Sequence, residues 1–132
     1  MKNRISEDQI DFSDEMVCLY KGKPFTGVVF DEDAGQVIGE TQYKDGMLDG
    51  ITRTWFRNRQ LRSESCFVEN RRHGPDKEWY ESGVMKSDTM YEHGIIVKKV
   101  DWDLDGKIIK SYELMEDDPG FELLELRRKS RG

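Results

Sequence analysis

The sequence predicts an all-β fold: tandem antiparallel β-hairpins, about four units of 24 residues, forming an elongated curved sheet with a short C-terminal capping helix. Three observations predict it. Tyr43-Lys44-Asp45-Gly46 is followed at steps of 24 by Phe67-Val68-Glu69-Asn70 and Tyr91-Glu92-His93-Gly94. Gly50 and Gly74 keep the same step, as do Trp55-Phe56 and Trp79-Tyr80, while Trp102 follows at 23. Within each unit, large and small residues alternate with a period of two, the period of a strand rather than a helix. Short polar loops then separate the alternating segments, as hairpin connections do.

Residues 1–18 are expected to form an N-terminal cap, the first sixteen of them acidic and aperiodic. Residues 19–115 carry the hairpin repeats. Four segments align without gaps: 37–43, 61–67, 85–91 and 109–115. Their columns at steps of two read Val37, Leu61, Met85, Ile109; then Gly39, Ser63, Ser87, Ser111; then Thr41, Ser65, Thr89, Glu113; then Tyr43, Phe67, Tyr91, Met115. One face is therefore large, small, small, large in the first three units. The alternate positions set a mostly cationic column (Ile38, Arg62, Lys86, Lys110) beside a mostly acidic one (Glu40, Glu64, Asp88, Tyr112), the pattern of a solvated face. The partner strand of one unit runs through Ile51–Trp55, and Arg57-Asn58-Arg59, Glu81-Ser82-Gly83 and Asp103–Gly106 are the loops. The small column leaves room on the sheet, which Trp55, Trp79 and Trp102 are expected to cover from the adjacent strands. Residues 116–132 form the C-terminal part. There Asp118-Pro119 reads as an N-cap followed by proline at the first helical position, starting a helix over 119–129 with Phe121, Leu124 and Arg128 on one side.

Composition fits a thin, wet architecture. Charged residues make up 36% of the 132 and the mean hydropathy is -0.81, yet 3 Trp, 5 Tyr and 6 Phe argue against disorder, which depletes aromatics. The net charge of -6 is uneven: residues 1–50 hold 5 Lys/Arg against 11 Asp/Glu, and the remainder balance. The N-terminal part should attract a basic partner and repel phosphate, so nucleic acid is not expected to bind. No segment has transmembrane length and Met1–Asp8 lacks the apolar core of a signal peptide, so a cytoplasmic location without membrane attachment is expected. Two cysteines, Cys18 and Cys66, fit reduced thiols, with a single bridge between them left open.

Catalytic and metal-binding patterns are weak. Asp101-x-Asp103-x-Asp105-Gly106 matches the start of a calcium loop, but position 12 is Tyr112 instead of glutamate and the flanks alternate like strands, so a hairpin turn is the better reading. His73 and His93 are read as turn residues with no zinc spacing. Asp31-Glu32-Asp33 and Glu116-Asp117-Asp118 are read as loop carboxylates. No phosphate-binding loop, dinucleotide fingerprint or nucleophile elbow occurs, so no cofactor, no metal and no enzymatic activity are expected.

The pattern Tyr-x-x-Gly-x-x-x-Gly, as in Tyr43–Gly50, followed by Trp-aromatic-x-x-Gly, as in Trp79–Gly83, resembles the MORN-repeat variant family. Lys23-Pro24-Phe25-Thr26-Gly27 looks like the first unit of bacterial members. Asn70, Arg59 and Lys98 depart from it where glycine is expected. The resemblance covers roughly residues 19–115, and it implies a bacterial antitoxin or immunity protein of the YwqK-like group. On that implication the partner is a protein toxin, basic in character. The residues expected to meet it are Trp55, Trp79, Tyr80 and Trp102, as an exposed aromatic stripe, together with the acidic Asp31, Glu32 and Asp33. The competing reading is a MORN-type scaffold or membrane-surface adaptor.

Overall fold

The structure is a computed structural model that describes residues 3–131. Its strands are β1 (Arg4–Ser6), β2 (Ile10–Phe12), β3 (Cys18–Tyr20), β4 (Lys23–Pro24), β5 (Gly27–Asp33), β6 (Gln36–Lys44), β7 (Met47–Trp55), β8 (Leu61–Val68), β9 (Arg71–Trp79), β10 (Met85–Glu92), β11 (Ile95–Trp102) and β12 (Ile108–Glu113). One helix, α1 (Pro119–Arg131), follows. Strands β5 to β12 are four successive antiparallel hairpins in an open nine-stranded sheet, with β1 added in parallel to β5 at its start. Strands β2, β3 and β4 form a separate three-stranded sheet. The small sheet and β1 pack over the first hairpin and supply the buried core: Cys18, Phe25 and Val29, with Ile5, Ile10, Tyr20 and Tyr43 against them.

The turns between hairpins explain the 24-residue step. Asp45-Gly46, Glu69-Asn70 and His93-Gly94 each hold two consecutive positive φ values, the tight turn whose twist suits paired strands. The second residue of each donates its N–H to the carbonyl of a residue in the preceding unit: Gly46 to Phe25, Asn70 to Leu48 and Gly94 to Arg72, at 2.8 to 2.9 Å. Each turn thus docks on the unit before it. Asn70 keeps the conformation that glycine would adopt (φ +67), and its side-chain oxygen accepts from the Leu48 N–H at 2.7 Å. Asparagine tolerates this region better than other non-glycine residues because its short amide bonds locally. At Lys98 the departure from glycine changes the pairing. Gly50 and Gly74 sit at φ +106 and +103 beside a wide register break, whereas Lys98 is not in that conformation and the break between β10 and β11 is smaller.

At the other end of the hairpins, Phe56, Tyr80 and Asp103 each bracket a loop by donating to Gln60, Val84 and Lys107. The residue with positive φ is Arg59 in the first loop, and Gly83 and Gly106 in the others. Arginine at φ +72 is strained by contact of its Cβ with the backbone. Arg59→Gly should therefore raise the unfolding free energy by about 1 kcal/mol, read as a higher urea midpoint with unchanged slope. Asp103 accepts the N–H groups of both Asp105 and Lys107 on Oδ1, so this carboxylate organises the turn of the last hairpin.

A register break recurs beside every hairpin loop, at Asp31/Glu32, Thr54/Trp55, Met85/Ser87 and Asp101/Trp102. It corrects two expectations. First, Thr54, not Trp55, stands opposite both Gly39 and Ser63, and Glu78, not Trp79, opposite Ser63 and Ser87. The tryptophans stand one step further along, opposite Leu61, Met85 and Ile108. They do not cover the small column. The side chains nearest to a Cβ built at Gly39 are Asp31 and Thr54, at 3.7 and 3.9 Å. Second, the fourth unit is offset by one. Ile108 takes the place of Leu61 and Met85, and Lys110 that of Ser63 and Ser87, so the small column ends before β12. The step of 23 to Trp102 is the mark of this offset in the sequence. Ser87 and Thr89 are nonetheless buried, with their hydroxyls 3.5 Å apart. Ser87→Leu should overpack this row and destabilise the fold by about 1–3 kcal/mol, measured as a lower unfolding midpoint.

Helix α1 begins at Pro119 as expected, directly after Asp118, whose carbonyl accepts the Phe121 N–H at 3.0 Å as that of an N-cap residue does, while its carboxylate accepts the Met115 N–H at 2.8 Å and closes the preceding turn. Leu124 is buried, Arg127 donates to the His93 carbonyl at 2.7 Å, and Arg128 grips Glu92 with two bonds of 2.5 and 2.8 Å. That bridge holds the Glu92 carboxyl below its usual range and raises the Arg128 guanidinium. The helix therefore clamps the turn between β10 and β11. It does not cover β12, all six residues of which are exposed. Met1, Lys2 and Gly132, the ends of the expected cap and tail, lie outside the described residues.

Candidate protein-binding face

The two faces of the main sheet differ in chemistry. Opposite-charge neighbours cross one of them in register: Glu40, Arg53, Glu64, Lys77 and Asp88, on five consecutive strands. Arg53 Nε donates to Glu64 at 2.7 Å, and Arg4 pairs with Glu40. The acidic column Glu40, Glu64 and Asp88 is the expected one, but the cations that alternate with it are Arg53 and Lys77 of the partner strands, whereas Arg62 and Lys86 lie over the rings of Phe56 and Tyr80.

The other face is a row of small residues and acids. Asp31, Gly39, Thr54, Ser63, Glu78, Ser87 and Asp101 run across it, and Val29, Thr41, Thr52, Ser65, Asp76 and Thr89 run beside them. Because these side chains are short, the sheet bears a trough of about 1030 Å3. Glu7, Ile10 and Phe12 of the N-terminal part wall one end, and Tyr43 and Tyr91 line one flank. Arg72 is held over the rings of Phe67 and Tyr91, 5.1 and 5.6 Å from their centroids, by a salt bridge to Asp76. Ser65 also donates to Asp76, at 3.0 Å. Arg57 pairs with Asp33 at the rim.

Two carboxyls meet in this trough. Glu7 titrates above its usual range because of partial burial first, then the charge and hydrogen bond of Asp31 beside it, then Asp8. Burial likewise pushes the Tyr43 hydroxyl up to about 12 and raises the Cys18 thiol. For Glu7 the sign is unfavourable to folding. The carboxyl is neutral in both states below the usual carboxylate range. As pH rises through that range the unfolded chain ionises first, so the folded state loses stability and the loss persists at neutral pH. Glu7→Gln should raise the melting temperature at pH 7, with the gain disappearing in acid below the usual carboxylate value.

The expected site residues separate. Asp31 and Asp33 line the trough, and Trp55 lies at its rim. The acidic triplet is not a loop: Asp31, Glu32 and Asp33 end β5, because the turn is made by the two residues Ala34 and Gly35, at φ +51 and +82. Glu32 takes the place in the first hairpin that the tryptophans hold in the others, opposite Val37. Trp79 and Trp102 are half-buried and stand away from the trough, with the Tyr80 hydroxyl donating to the Trp102 carbonyl at 2.8 Å. Glu7, Asp76, Glu78 and Arg72 join the site without standing out in the sequence. Their shared face follows from the register, and the small columns opposite them are its signal. His73 belongs to β9 instead of a turn. Its Nδ1 accepts the His93 N–H at 2.9 Å, with the rings 4.8 Å apart. Cys18 and Cys66 are free thiols.

Over 110 residues the chain is 37% identical to the immunity protein YwqK of Bacillus subtilis (strain 168), a match that spans 83% of this chain and 71% of that one. The chain belongs to the YwqK-like family. No family model matches it. Among solved structures, a mutant of S. aureus TarM in complex with fondaparinux, alpha-GlcNAc-glycerol and UDP superposes with a TM-score of 0.41 and 13% identity. That match covers 83% of this chain and 20% of the other, a likeness too slight to bear on fold or function. Membership of the YwqK-like family supports an immunity role and a protein partner. Among the described residues, no helix is long and apolar enough to cross a membrane.

Proposed function

We propose that the chain neutralises a protein toxin by binding it directly, one to one, in the acidic trough, without catalysing a reaction. The likeness to an immunity protein over most of the chain carries this reading. The trough supports it physically. It is wide, its floor is polar, and its carboxylates at Glu7, Asp31, Asp76 and Glu78 face a common space. A basic toxin surface entering there would relieve the Glu7–Asp31 repulsion, so binding should release protons and tighten as pH rises through the carboxylate range. We read the hairpin units as MORN-type variants and place the protein in the cytoplasm, where Cys18 and Cys66 stay reduced. The test is growth of host cells expressing the toxin encoded beside this protein, with and without it, together with titration of the purified pair. Protection with stoichiometric binding is the expected result. Survival that does not depend on complex formation, or no protection, would overturn it.

A further inference from the structure

We propose that β12 is a self-association edge, through which two copies join strand to strand into one continuous sheet. The two ends of the main sheet are finished differently. At the first, β1 lies along β5, the Val28 N–H donates to the Asn3 carbonyl at 2.8 Å, and the small sheet packs over the hairpin. At the last, β12 is paired only with β11 among the described strands and every residue of it is exposed. Such an edge offers a row of backbone donors and acceptors to another strand. Which groups face outward follows from one bond. The Leu114 N–H donates to Val97 at 2.9 Å, and the register pairs Lys99 with Tyr112 and Asp101 with Lys110. In an antiparallel ladder, bonded and non-bonded pairs alternate. Tyr112 and Lys110 therefore bond to β11, whereas Ser111 and Glu113 turn their N–H and C=O groups to the open side.

The chemistry of the strand favours a second copy. Ile108 and Ile109 are each 64% exposed and Tyr112 41%, an apolar content unusual for an unprotected edge. An antiparallel pairing centred on Ser111 sets Ser111 against its counterpart, Lys110 across from Tyr112, and Ile109 across from Glu113. It also brings Glu113 diagonal to Lys107 of the other copy, so opposite charges meet. A register centred on Lys110 would set lysine against lysine and is disfavoured. A basic protein segment is a poorer occupant, because Lys107 and Lys110 border the edge. The dyad of this pairing is perpendicular to the sheet, so both copies present the trough on the same side.

The experiment is sedimentation equilibrium on the full chain from micromolar to millimolar concentration, with amide hydrogen exchange at the extremes. The mass should rise from 15.5 kDa towards twice that value. Exchange at Ser111 and Glu113 should slow with concentration, while that at Tyr112 stays protected throughout. Ser111→Pro removes only an outward N–H and should hold the chain monomeric with little change in thermal midpoint. A monomer at every concentration would overturn the proposal. So would a dimer in which the Ser111 amide of the unmodified chain still exchanges freely, a readout that decides the matter even where the proline variant fails to fold. Protection of Ser111 that appears only on adding a toxin would assign the edge to that partner and refute self-association.

Discussion

Gly27→Ala is expected to destabilise the protein by on the order of 3 kcal/mol. Gly27 opens β5 with φ +149, a conformation that side-chain-bearing residues rarely adopt. A Cβ there would lie 2.4 Å from the Asn3 carbonyl oxygen and 2.7 Å from the Phe25 ring. The first is backbone of the segment leading into β1, and the second is one of the few buried hydrophobic side chains. Neither can yield cheaply, because Phe25 packs with Cys18 and Val29 and the bond from Val28 to Asn3 fixes the segment. The control is Gly106→Ala. Its φ of +82 is also left-handed, but nothing lies within 4 Å of a Cβ there, so only a backbone strain of about 1–2 kcal/mol should appear. Urea unfolding of both variants separates close packing from backbone strain. Equal losses would mean that β1 is not held against the sheet as tightly as this geometry requires.

The fold is legible in the sequence because repetition multiplies a weak signal. A period of two over seven residues is ambiguous alone, but the same columns at 37, 61 and 85 leave little freedom. What the columns do not carry is register. A break beside each loop moves the tryptophans one step out of the small row, and no residue type marks such a break in advance. Position within the unit joins Trp55, Trp79 and Trp102 to Gly39, Ser63 and Ser87, yet Thr54 and Glu78 hold that place. The acidic triplet misleads for a related reason. Three charges in a row look like loop, but Ala34 adopts a positive φ without being glycine, and the turn shrinks to two residues. Glu7 is out of reach of sequence reading altogether. Its meeting with Asp31 depends on how a short 3-10 turn folds over the first hairpin, far along the chain.

Reversing charge on the trough floor is expected to abolish tight toxin binding while leaving the fold intact. Asp31 and Glu78 are exposed on the face that also bears Asp76, and Asp33 and Asp76, unlike them, are each held in a salt bridge to an arginine. Asp31→Lys with Glu78→Lys turns two anions into two cations. A basic toxin surface would then approach against repulsion, and association should slow before dissociation quickens. The combined loss in affinity should be about 100-fold or more, with most of the salt dependence removed. Stability should hold or rise, because Asp31→Lys replaces the like-charged neighbour of Glu7 with a cation. The matched variant Lys77→Glu with Lys98→Glu alters charge on the opposite face, at positions that do not line the trough, and should leave the association rate within a few-fold of the unmodified value. Surface plasmon resonance at two salt concentrations reads both pairs. If the trough variant binds normally and the opposite-face variant does not, the toxin docks on the ladder of paired charges, and the immunity role stands on a different surface. If neither matters, the contact is made by the sheet edges or turns, where the backbone and not the carboxylates would supply the affinity.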